Sequence, residues 1–131
     1  MRNGGTWTEG RFQSFIKGAL RSASNRWGPK FAAKKAAWVR RGIYLCAGYK
    51  CPPHEVPATL PPDPGKKRRI NNSVIDHIDP VIDPVTGFVS WDNVIERLFV
   101  EKEGLQLLCA SCHQTKTADE RQVRKDSKTN D

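Results

Sequence analysis

Leu105-Gln106-Leu107-Leu108-Cys109-Ala110-Ser111-Cys112-His113-Gln114-Thr115-Lys116 is the stretch on which the reading of this chain turns. Residues of strand character run into a cysteine, and two thiols and an imidazole then follow on one short turn. The spacing predicts a buried strand over 105–108 and a helix from Ala110 to about Lys125. Two cysteines separated by two residues are the standard half of a tetrahedral zinc site. Cys46 and Cys51, four residues apart internally, supply the other half, so the expected structural zinc is held by Cys46, Cys51, Cys109 and Cys112. Such sites bind with on the order of 10 kcal/mol or more in small peptides. One here would fasten the Pro-rich segment to the C-terminal helix. His54 offers a substitute donor, although a loop histidine beside prolines is more often simply exposed. Four unpaired buried thiols are the bland alternative.

Upstream lies Val74-Ile75-Asp76-His77-Ile78-Asp79-Pro80, a strand ending in a carboxylate and an imidazole. Neighbours on a strand face opposite ways, so one can meet a metal while the other meets a substrate. If this strand pairs with the one before Cys109, His113 falls close to Asp76. One carboxylate and one imidazole leave most of a coordination sphere open to water and phosphate oxygens. That suits Mg²⁺ or Mn²⁺ acting as a Lewis acid.

The 131 residues suffice for one domain, or one small domain with an N-terminal lobe, and for a modest core that a metal would help to hold. Net charge is +8 and unevenly spread: residues 1–72 carry 15 Lys and Arg against 3 acids, and residues 73–131 carry 7 against 11. A basic arm beside an acidic half fits a polyanion grip next to a cation site, although surface charge that only maintains solubility would look the same. With no signal-peptide-like or membrane-spanning stretch, the expected compartment is the cytoplasm, where cysteines more often bind metal than form disulfides.

Thr6 and Glu9 have capping-box spacing, and Phe12, Phe15, Ile16, Ala19 and Leu20 form one apolar helical face. A second helix, about 30–41, is expected to start behind Pro29, bury Phe31, Trp38 and Val39, and end at Gly42. Its cations Lys30, Lys34, Lys35, Arg40 and Arg41 are candidates for DNA backbone contact, as are Lys66, Lys67, Arg68 and Arg69. Residues 52–64 hold six of the nine prolines and are expected to lack regular structure. Ser90 is expected to cap a short helix with Trp91, Ile95, Leu98 and Phe99 on one face.

Together, the Val74–Pro80 segment and the Gly104–Thr117 segment resemble the HNH endonuclease family, closest to its small zinc-containing bacteriophage proteins. The resemblance covers roughly residues 73–120, and the cysteines at 46 and 51 extend it upstream. It implies an α+β fold with a ββα-metal (HNH, or His-Me finger) core, a structural zinc on four cysteines and an N-terminal helical lobe. The boundaries would be a basic helical arm over 1–45, a zinc-stapled HNH nuclease domain over 46–125, and a flexible tail over 126–131. It further implies metal-dependent hydrolysis of DNA phosphodiester bonds, with His77 as general base and Asp76 and His113 on the catalytic ion. The products would be a 5′ phosphate and a 3′ hydroxyl. Lys116 recurs in the family segment and would touch a phosphate. The implied setting is phage-encoded, in host cytoplasm, with DNA as partner, the packaging machinery as a further one, and no membrane. One departure stands out: the family's Asn position is Gly104 here, with Asn93 on a predicted helix the nearest substitute, so activity would rest on a different brace or be reduced. The alternative is a non-catalytic zinc module that binds nucleic acid.

Overall fold

The computed structural model describes residues 2–129. Its elements are α1 (Glu9–Ser24), α2 (Gly28–Ala36), β1 (Trp38–Arg40), β2 (Ile43–Cys46), β3 (His54–Pro57), β4 (Thr59–Leu60), β5 (Ile70–Asn71), β6 (Val74–His77), α3 (Trp91–Leu98), β7 (Leu105–Leu108) and α4 (Ala110–Thr129). This mixed α+β chain has three small antiparallel sheets, ordered β1-β2-β3, β4-β5 and β6-β7. No helix among the described residues is long and apolar enough to cross a membrane.

The expected pair of strands and their following helix are present. β6 pairs with β7 in the register Asp76↔Gln106 and His77↔Leu105. Leu105, Leu107 and Leu108 are buried, and α4 begins at Ala110. Ser90 caps α3, its hydroxyl accepting from the Asn93 amide at 3.1 Å. That helix buries Val94 and Leu98, while Ile95 is exposed.

Three local expectations are corrected. Thr8, not Thr6, caps α1 by accepting from the Arg11 amide, because Thr6 is taken up in a turn through Gly4 and Gly5 and donates to the Asn3 carbonyl. The second helix stops at Ala36, and Trp38–Arg40 is a strand hairpinned onto β2. Gly42, at φ +76°, makes that hairpin turn rather than a helix end. Phe31, Trp38 and Val39 are 63%, 55% and 38% exposed instead of core. Within the Pro-rich segment, His54–Pro57 forms a strand against β2. It tolerates this composition because it is the edge of its sheet, with Pro52 and Pro53 before it and Pro57 at its last position.

The sheet β1-β2-β3 crosses position 45, and α2 lies against β7, so the arm and the rest share one structure. The indole of Trp27 donates to the Val100 carbonyl at 2.7 Å, joining the start of α2 to the chain beyond α3. α4 continues to Thr129, beyond the 126 boundary expected for the tail; Asn130 and Asp131 lie outside the described residues.

The buried cluster consists of Cys46, Val56, Leu107, Leu108, Cys109 and Cys112, with Ala37, Tyr44, Tyr49 and Ile75 against it. Half of those six are cysteines. A core this small and this rich in thiols gains little from hydrophobic burial alone, which makes the chemistry of the sulfurs central to the fold.

Candidate metal centre and the cleft beside it

Cys46 ends β2 directly opposite His54 on β3, and Ala47 donates its amide to the Leu107 carbonyl, bringing the hairpin to β7. Cys109 and Cys112 enter from the β7–α4 junction. The ligand atoms of Cys46, His54, Cys109 and Cys112 all lie within 4.8 Å of one another, so these four residues can hold a metal ion such as zinc. Cys51 is exposed, yet its sulfur is 3.8 Å from that of Cys112. Sulfurs sharing a tetrahedral zinc at about 2.3 Å would be about 3.8 Å apart. His54 thus stands in the four-donor cluster where the sequence reading expects Cys51, and Cys51 lies beside it next to Cys112.

The surroundings suit a cation. Cys46 Sγ accepts from the amides of Gly48 at 3.4 Å and Cys109 at 3.3 Å, and Cys109 Sγ accepts from the Cys112 amide at 3.5 Å. His54 Nδ1 is 3.1 Å from the Pro52 carbonyl oxygen, which can only accept. Nδ1 therefore carries the proton, and the Nε2 lone pair faces the cluster, 3.8 Å from Cys109 Sγ. Burial works against the Cys109 thiolate, but the Cys112 amide and His54 outweigh it and bring the thiol down to about 7. Burial pushes Cys112 up to about 12, with the neighbouring sulfurs adding to the rise. Crowded thiols with one acidic member are what a divalent cation would relieve. Gly48, at φ +83°, makes the tight loop, and a Cβ there would run into the Cys51 and Pro52 carbonyl oxygens.

Asn72, 5% exposed, ties the end of β3 to the start of α4. Its amide donates to the Pro57 carbonyl at the end of β3, and its side-chain oxygen accepts from the Ala110 amide at the start of α4, both at 2.9 Å.

On β6, Asp76 Oδ2 takes two donors, Gln106 Nε2 at 3.1 Å and Lys116 Nζ at 2.9 Å. Its other oxygen, Oδ1, is 3.8 Å from His113 Nε2. Ligands about 2.1 Å from one ion are separated by about 3 Å when adjacent and about 4 Å when opposite. The pair is thus within reach of a shared ion through one carboxylate oxygen and one ring nitrogen. His77 Nε2 lies 2.7 Å from the Leu98 carbonyl oxygen, one of the carbonyls left open at the end of α3. That oxygen accepts, so Nε2 carries the proton and Nδ1 of the neutral ring keeps its lone pair. This backbone carbonyl thus fixes the orientation of the His77 ring.

Lys116, a candidate phosphate contact, is held by protein groups in this structure. It is 8% exposed, with its ammonium 2.9 Å from both Asp76 and Glu120 and 2.8 Å from the His77 carbonyl oxygen. Burial lowers its pKa, but the two carboxylates more than offset this and leave it raised.

Asp76 and His77 line a cleft of about 690 Å³ between α1 and α4. Lys17 and Arg21 of α1 and Arg124 and Lys128 of α4 line it too, and sequence reasoning assigned none of them a role. The i, i+4 spacing of each pair is the signal that could have found them. Among the cations expected to hold DNA, only Lys116 is in the lining. Lys30 donates to Ser24 Oγ, Lys34 lies over the Tyr44 ring, Arg40 pairs with Glu55 and Arg69 donates to Thr59 Oγ1. Lys35, Arg41, Lys66, Lys67 and Arg68 are exposed. No family model, curated protein or solved structure matches the chain.

Proposed function

We propose that this chain is a metal-dependent DNA endonuclease of the HNH type, in which β6, β7 and α4 form the ββα-metal core. The observation that carries the reading is the 3.8 Å approach of Asp76 Oδ1 to His113 Nε2, beside a histidine whose tautomer is fixed by the Leu98 carbonyl. Metal-assisted hydrolysis of a phosphodiester has a use for each of these groups: a carboxylate and an imidazole for the ion, and a second imidazole for the attacking water. Asp76 and His113 would hold Mg²⁺ or Mn²⁺, which supplies charge neutralisation at the phosphate and at the departing 3′ oxygen. Gln106 and Lys116 occupy Oδ2 and thereby aim Oδ1. His77 Nδ1 takes the proton of a water whose oxygen bonds to phosphorus as the bond from phosphorus to the 3′ oxygen breaks. A proton from solvent completes the 3′ hydroxyl, and the phosphate remains on the 5′ side.

A zinc ion in the Cys/His cluster would fix α4 and so hold His113 in place. The basic arm, with Lys30, Lys34, Lys35, Arg40 and Arg41, would raise the local concentration of DNA. A bacteriophage origin and service to a DNA-packaging motor rest on the resemblance alone.

One observation favours the competing reading of a non-catalytic zinc module that binds nucleic acid: Lys116 already neutralises Asp76. Plasmid incubated with the chain under Mg²⁺, Mn²⁺ or EDTA decides between them. Nicks or breaks that depend on the ion and vanish in His77→Ala support the nuclease. Binding without cleavage under every ion defeats it.

A further inference from the structure

The cleft at Asp76 and His77 has walls of one sign that the fold leaves without counter-charges. Lys17 and Arg21 stand one turn apart on α1, and Arg124 and Lys128 one turn apart on α4. None of the four makes an ion pair among the described residues, although Arg2, Arg40, Lys50 and Lys116 all do. Lys17 touches only the face of Phe88, at 6.0 Å, among the charge and ring contacts. Four uncompensated cations around one depression raise its potential and concentrate an anion there. The acids at the floor, Asp76 and Glu120, are already held by Lys116.

We infer that Lys17 and Arg21 on one side, and Arg124 and Lys128 on the other, position the phosphodiester backbone of a single strand across His77. The inference rests on the nuclease reading and assigns its substrate grip to α1 and α4 rather than to the cations of α2. At about 690 Å³ the cleft is the size of a small-ligand site, so it admits a short run of one strand rather than a whole duplex. Guanidinium and ammonium groups contact phosphate, which fixes register without reading bases. Cleavage should therefore show little sequence preference, with one strand engaged at a time.

The test uses the full chain and the doublets Lys17→Gln/Arg21→Gln and Arg124→Gln/Lys128→Gln. Glutamine keeps helix propensity and removes only charge. With a fluorescent oligonucleotide as substrate, each doublet should raise KM about tenfold and leave kcat within about twofold, while the salt slope of binding, measured in a His77→Ala background, falls by about 1.4 for a single strand. The comparison doublet Lys34→Gln/Lys35→Gln should move KM less than either. A wild-type chain that cuts, with KM and salt slope unmoved by both cleft doublets, overturns the inference and leaves the nuclease reading intact. So does a larger KM effect from the α2 doublet. A wild-type chain that cuts under no divalent ion overturns both.

Discussion

Replacing Asn72 with Ala removes one side chain and releases two segments. The amide no longer donates to the Pro57 carbonyl, and the Ala110 amide loses its acceptor. Pro57 is exposed, so water replaces the partner there and the loss lies at the low end, about 1 kcal/mol. At the start of α4 the missing acceptor resembles a lost helix cap, another ~1 kcal/mol. The expected cost is about 2 kcal/mol, or a fall in Tm of roughly 6–10 °C for a chain of this size. Urea titration of both proteins, at one fixed excess of zinc so that metal linkage is equal, measures it. Asn72→Asp keeps an acceptor facing Ala110 and places negative charge at a helix start, where the dipole favours it by roughly 0.3–1 kcal/mol. It should recover part of the deficit. A loss below about 0.5 kcal/mol in the Ala variant, or an Asp variant no better than Ala, would refute the assignment of Asn72 as the cross-link.

His77→Ala should lower cleavage by at least 10²–10⁴-fold, the usual worth of general base catalysis, with DNA affinity unchanged; wild-type rates would defeat the base assignment. With Cys51 Sγ beside the four-donor cluster, 3.8 Å from that of Cys112, His54→Ala and Cys51→Ala should each retain one zinc at weakened affinity, and the double variant should lose it. Metal analysis after dialysis checks this, and complete loss in either single variant contradicts it. Lys116 has a raised pKa, so its ion pairs are fully present below the ordinary 10.5 and are lost as pH rises through the folded value. Wild-type Tm should therefore drop in strong alkali by more than that of Lys116→Met, and parallel curves would count against this role. Gly48→Ala should disrupt the loop between Cys46 and Cys51 and lower zinc affinity, because its Cβ meets backbone oxygen that has nowhere to go.

Elements fixed by local pattern were readable in the sequence. The alternation and apolar run of 105–108, the Ser90 cap and the cysteine-led start of α4 all speak within a few residues of one another. The approach of His113 to Asp76 also followed, since antiparallel pairing of two short strands leaves that geometry little freedom. What escaped depends on partners distant in sequence. Lys34-Lys35-Ala36-Ala37 continues a helical pattern until Trp38 finds Tyr44 across a hairpin. His54 was legible only as a substitute donor, and its place in the cluster comes from its register opposite Cys46, in a segment whose prolines argue against any strand. The cations of the cleft are ordinary solvated positions on their own helices, and only the approach of α1 to α4 makes them a group. The bracing of His77 was invisible for a simpler reason: a backbone carbonyl has no letter in the sequence.

Cys112 and His113 are consecutive residues at the head of one helix, yet one faces the sulfur cluster and the other the carboxylate. A single peptide unit separates the two centres. An alkylating or oxidising reagent that attacks the thiols would thus be felt at the imidazole next door, and on the nuclease reading proposed above it would slow cleavage although no sulfur takes part.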